Sequence, residues 1–163
     1  MPEQEGSDER ATLNTESLAE FLVASRRCAS TMRDGAAFIQ KELPKVRMSE
    51  ALRTRLIRLC DDLVGTEYDV AAEIRDFHDP IPGQPLREVW RTRVTRINRW
   101  LYEDLPGLHE IVQALDAAAR SDPADGGAYI LVAETAVGIL DAYAAVRGAA
   151  ARTIGIAGTE LKE

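Results

Sequence analysis

Residues 86–105 read LREVWRTRVTRINRWLYEDL, and the fold turns on whether this stretch is one amphipathic helix. It holds both tryptophans and five of the seventeen arginines. At about 100° per residue, Leu86, Trp90, Val94, Ile97 and Leu101 fall within an arc of roughly 80°. Such a stripe has a helical period, and it is buried only if other helices close around it.

The flanking chain supplies those helices. Upstream, Ser17 and Glu20 have the spacing of a reciprocal helix cap. Leu18, Leu22, Ser25, Ala29, Met32, Ala36 and Ile39 then repeat at helical spacing to about Glu42. Leu43-Pro44 ends this helix, because a residue before proline is pushed out of the α region. Ser49 is a good N-cap for a second helix. Its main stripe is Leu52, Leu56, Leu59, Leu63, Val70, Ile74 and Phe77, and Ile57, Val64 and Tyr68 form a second stripe that predicts contact with a second neighbour. Residues 78–85, HDPIPGQP, make a rigid connection.

Downstream, Leu105-Pro106-Gly107 breaks the arginine-rich helix, and a shorter helix carries Leu108, Ile111, Val112 and Leu115. The two read as one arm with a kink. Residues 121–127, SDPADGG, turn the chain into a last, alanine-rich helix to about Ile154, with Tyr129, Val132, Ala136, Ile139, Leu140, Tyr143 and Val146 on its apolar side. The opposite side is mostly alanine and glycine, which permits close approach by a neighbour.

Three arms of about 26 to 28 residues would each span roughly 40 Å, and the kinked arm is comparable. Short connections make successive arms antiparallel. The expected fold is all-α: an up-down four-arm bundle of about five helices, its third arm kinked or broken near Pro106. Residues 15–154 are expected to form a single domain between a disordered acidic tail, 1–14, and a frayed end, 155–163.

Composition narrows the function. A net charge of −7 argues against a general nucleic-acid binder. No secretion signal is visible, and Glu134, Asp141 and Arg147 interrupt the most apolar region, so the expectation is a cytoplasmic protein with no membrane-spanning helix. Cys28 and Cys60 fall at apolar positions and read as buried thiols.

No catalytic or binding signature of high specificity is present. Metal chemistry lacks a ligand set: there is no Glu-x-x-His, and the chain has two histidines. His78-Asp79 lies in a loop without further ligands, and His109 sits on the exposed side of its helix. Glu134 and Asp141 stand about 10 Å apart along the axis, too far to couple. Gly126-Gly127 lacks the residues of a phosphate loop. No catalytic residue, metal or cofactor is expected.

Two constellations remain. On the third arm, Val89 and Trp100 form a second apolar strip flanked by Arg93 and Arg96, a composition enriched at protein–protein contacts. Inside the bundle, Glu67, Arg147 and Ser25 interrupt core stripes. Arms two and four run parallel, and Glu67 and Arg147 each lie about two-thirds along them. This predicts an inner polar layer of Ser25, Glu67, Tyr143 and Arg147, with Trp90 or Val94 beneath. It would be either a buried ion pair or a ligand pocket.

The leading functional expectation is a non-catalytic interaction or adaptor module. It would act through the Trp/Arg patch or the small-residue back of the last helix, on a protein partner or as a homo-oligomer. The first alternative is a ligand-binding or enzymatic bundle using Glu67 and Arg147. The second, a nucleic-acid-associated accessory protein using residues 86–102, is held back by the acidic total.

Overall fold

The computed structural model describes residues 15–154; the two expected tails, 1–14 and 155–163, lie outside the described residues. Five α-helices run through them: α1 (Thr15–Glu42), α2 (Glu50–Arg75), α3 (Leu86–Glu103), α4 (Leu105–Ser121) and α5 (Gly126–Ile154). No strand occurs among the described residues. The protein is an all-α bundle of four arms, with α3 and α4 together forming the third.

Local chemistry accounts for most boundaries. Chain already helical at Thr15 leaves Ser17 inside α1 and buried, so the Ser17–Glu20 spacing does not mark the start. Pro44 stops α1 by tightening the chain into a 3-10 turn, Leu43–Lys45. Arg53 then pins that turn, donating to the carbonyls of Leu43 and Val46, both at 2.9 Å. The Tyr129 hydroxyl, from the start of α5, donates to the carbonyl of Arg47 in the same connection. The first connection and the start of the last helix therefore share one end of the bundle. Ser49 caps α2 as its sequence suggests, its hydroxyl accepting from the Leu52 N–H at 3.2 Å.

The third arm is kinked, not folded back. Asp104 keeps helical backbone angles (φ −84, ψ −11), and its carbonyl accepts from the Leu108 N–H at 3.0 Å. Pro106 sits in the first turn of α4, where its missing N–H costs nothing, but it denies α3 its continuation. Both halves pack on α2 and α5.

The arms form a ring in which α1 lies against α2 and α5, and α5 lies against α4. The most extensive contact joins α1 to α5, whereas α2 and α5 stand diagonally with no substantial contact. The centre is filled by Phe21, Met32, Leu56, Leu63, Ile97 and Ile139, all fully buried, each such side chain contributing about 2 kcal/mol of transfer free energy.

Two stripes read from sequence face elsewhere. On α2, Ile57, Val64 and Tyr68 meet no second neighbour and are exposed, Tyr68 by 73%. The arm-three contact uses the Leu59–Leu63–Val70 side instead, because a neighbour on each side of one stripe satisfies a helix at the edge of a four-arm ring. On α3 the buried face is turned toward Val89, Arg93, Val94, Ile97, Asn98 and Leu101, leaving Leu86 exposed and Trp90 half-buried. The turn follows from the 76–85 connection, where buried Phe77 anchors the chain and Arg93 donates to the Asp79 carbonyl at 3.1 Å. Gly83 supplies the positive φ (80°) this connection needs to swing back into α3.

Two glycines in helix interiors should behave oppositely. A Cβ on Gly35 would lie 3.0 Å from Ile139 Cδ1 and 3.2 Å from Thr135 Cγ2, whereas one on Gly65 would meet nothing within 4 Å. Gly35→Val is expected to lose roughly 2 kcal/mol by overpacking the α1–α5 contact. Gly65→Ala should gain about 1 kcal/mol from helix propensity alone. Urea unfolding of the two variants beside the wild type checks both signs.

Candidate functional site

The Glu67–Arg147 pair does not form. Glu67 is half-buried in the α1–α2 cleft, where its nearest cation is Arg33 (Nη1 to Oε1, 3.9 Å). Arg147 is half-buried on the far side of the bundle, facing the break between α3 and α4. The two residues belong to α2 and α5, the diagonal arms, and they are not level: Glu67 stands beside Arg33, and that part of α1 meets α5 near Thr135 and Ile139, two turns before Arg147.

A polar layer exists nonetheless, with other members. Buried Tyr143 donates its hydroxyl to Asn98 Oδ1 at 3.2 Å, and Asn98 is itself fully buried on α3. One turn and a half further on, Thr66 of α2 donates to Asp104 Oδ2 at 2.6 Å, tying the second arm to the kink of the third. Ser25 is buried as its stripe position implies, but its hydroxyl has no hydrogen-bond partner among the described residues. Trp90 is not beneath this layer: it lies two turns before Asn98, edge-on to His78 with ring centroids 6.1 Å apart.

Burial sets the protonation chemistry here. Asp104 is pushed above the ordinary carboxyl value, chiefly by desolvation; the Thr66 hydrogen bond opposes this, and the charges of Asp62 and Glu103 add to it. Tyr143 is raised by desolvation against the lowering effects of Asn98 and the Arg147 guanidinium. Desolvation, reinforced by Asp104, pushes the Cys28 thiol up to about 12, and Cys60 rises to about 11 by desolvation and Asp61. Both cysteines are free and, as thiols, poor nucleophiles.

The expected Trp/Arg strip is dismantled by the turn of α3. Val89 is completely buried, and Trp100 is half-buried against the core. Arg93 is buried, with Nη1 3.5 Å from Glu73 Oε1, and the exposed Arg96 reaches the same oxygen at 3.1 Å. One carboxylate on α2 thus holds two of the arginines that the strip needed at the surface.

Arg147 and Tyr143 instead share a cleft of about 820 Å³ that the kink opens between arm three and α5. Tyr102, Leu105, Pro106 and His109 line one wall; Leu140, Asp141, Tyr143, Ala144 and Arg147 line the other. The Tyr102 and Tyr143 rings lie 6.0 Å apart at its floor. Among the described residues no group of three or more His, Cys, Asp or Glu is placed to hold a metal ion.

A second feature is the outward face of α5. By length and composition α5 is apolar enough to cross a membrane, as the core helix of a bundle can also be, and a third of the residues in its most apolar stretch are buried. Ile130, Leu131 and Val137 remain exposed along it, and Val23 of α1, 53% exposed, lies further along, in the groove beside the later half of α5.

Sequence reasoning missed Asn98, Thr66 and Asp104. Asn98 had a signal, as an amide four residues after Val94 and one after Ile97, at the margin of a core stripe. Asp104 had none, because a carboxylate before Leu-Pro reads as part of the break.

No family model matches the chain, and neither a curated protein nor a solved structure matches it.

Two substitutions test the inner layer. Ser25→Ala removes an unpaired buried hydroxyl and should raise stability by about 1 kcal/mol in chemical denaturation. For Asp104 the sign runs against the usual carboxylate. Its folded pKa lies above its unfolded one, so the folded state binds more protons, and stability falls as pH rises from the ordinary carboxyl range through the raised value. Asp104→Asn keeps an acceptor for Thr66 and should flatten that decline, so that thermal melts of variant and wild type converge at acid pH and separate, variant higher, toward neutrality.

Proposed function

We propose that the protein is a non-catalytic interaction module that self-associates through the outward face of α5. The observation that carries this reading is a long apolar helix with large apolar side chains on its outward side, Ile130, Leu131 and Val137 all at least 39% exposed. Exposed apolar side chains grouped on one helix mark contact surfaces, and here the exposed acids Glu134 and Asp141 stand among them. Grooves flank it on both sides, one of about 770 Å³ against α1 and one of about 390 Å³ against α4.

The occupant is a second copy of the chain. The α1–α5 groove is floored by small residues, Ala24, Gly138, Ala142 and Ala145, which let a helix approach closely. Its rim carries both signs of charge: Glu20 and Asp141 with Arg27 and Arg152. Glu20 and Arg152 already pair within the chain at 3.3 Å, which leaves Asp141 and Arg27 as the acid and base that a two-fold axis can set against each other between copies. This keeps the interaction module expected from sequence and moves it from the arginine strip, where Val89 and Arg93 are buried, to the small-residue back of the last helix.

Sedimentation equilibrium tests it. At about 100 μM the wild type should be a dimer, since a micromolar constant makes association nearly complete there. Val137→Asp should yield a monomer with unchanged helical circular dichroism. A monomeric wild type, or a monomer that co-sediments with phosphatidylcholine vesicles, overturns the reading.

A further inference from the structure

The cleft beside the kink has the parts of a small-molecule site; it shares Asp141 with the rim of the α1–α5 groove but none of the exposed stripe Ile130–Val137. Its walls are mainly apolar, from Leu105, Pro106, Leu140 and Ala144, and its volume of about 820 Å³ falls in the range of ligand pockets. Within it stands one cation. The Arg147 guanidinium is half-buried, and among the described residues no carboxylate lies within salt-bridge distance of it, in a chain of net charge −7. Arg53 and Arg93, comparably withdrawn from solvent, spend their guanidinium groups on backbone carbonyls and on Glu73. Of the acids nearby, Asp104 is engaged by Thr66, and Asp141 is exposed. The floor is rigid, since Tyr143 is fixed by Asn98.

We propose that this cleft binds a small monocarboxylate with an apolar body, its carboxylate paired with Arg147. A planar guanidinium receives a carboxylate through two parallel hydrogen bonds, and partial desolvation strengthens them. The apolar body lies on Leu105, Pro106, Leu140 and Ala144. Asp141 sets the charge: it repels a second negative group, so dicarboxylates and phosphate esters are disfavoured while a single carboxylate is accepted.

The probe is octanoate, titrated into full-length, ¹⁵N-labelled protein, with octan-1-ol and octylammonium as bodies lacking the carboxylate. Saturable amide shifts are expected to be confined to residues 102–109 and 140–151. Arg147→Gln should weaken octanoate at least roughly tenfold without moving the melting temperature, and Arg147→Lys should recover part of the loss. Ala144→Phe, which fills the cleft from an exposed backbone position, should abolish binding with the charge intact. Val137→Asp should bind as the wild type does, which separates this site from the self-association face. Octan-1-ol matching octanoate, undiminished binding by Arg147→Gln, shifts centred on Ile130–Val137, or no saturable shift at all would each overturn the proposal.

Discussion

The distance between α1 and α5 governs the rest of the molecule. At Gly35 the absence of a side chain lets Ile139 and Thr135 rest almost on the α1 backbone, where even a single added carbon would be 3.0 Å from the isoleucine. Ala29 and Ala36 on α1, with Ala136, Ala149 and Ala150 on α5, continue the close contact along the buried seam. Dispersion falls away over fractions of an ångström, so two helices this near gain cohesion that larger residues would have to replace by precise interlocking. The large side chains are then distributed to the other contacts: leucines from α2 and α4, isoleucine and valine from α3.

This explains why much of the fold was legible and some of it was not. Helix period, proline breaks and the Ser49 cap are local, and each acts within a few residues; they place all five helices and the kink. Which face of a helix is buried is a property of its neighbours. Leu86 satisfies the stripe of α3 on a helical wheel, but the returning 76–85 connection covers Val89 and Arg93, so the helix settles a fraction of a turn away. Ile57, Val64 and Tyr68 are apolar at helical spacing, yet a four-arm ring gives α2 no partner on that side.

The inner layer shows the same limit in polar form. Residue number along an arm is a poor guide to height when arms are offset: Glu67, beside Arg33, stands at the level of Ile139, two turns before Arg147. Whether two level residues meet depends on which arms are adjacent, and α2 and α5 are diagonal. Tyr143 and Arg147 were correctly singled out as polar groups on an apolar helix, but their company comes from the other side: Asn98 for the tyrosine, and a cleft beside Pro106 for the arginine. The kink, read from sequence only as a break in a helix, is what creates room for that cleft.

The way α3 is held differs from the way the other helices are held. Its ties include the Arg93 and Arg96 pairs with Glu73, the Asp79 carbonyl, and Asn98 with Tyr143, while Asp104 at its end is bonded to Thr66. Directional bonds of this kind can be traded one for one with solvent, whereas the α1–α5 seam has no such substitute. Cohesion in this bundle is therefore of two kinds: the α1–α5 seam rests on close apolar contact, and the first half of arm three adds directional ties to its own buried stripe of Val89, Val94, Ile97 and Leu101, so loosening it would wet oily surface as well as break polar bonds.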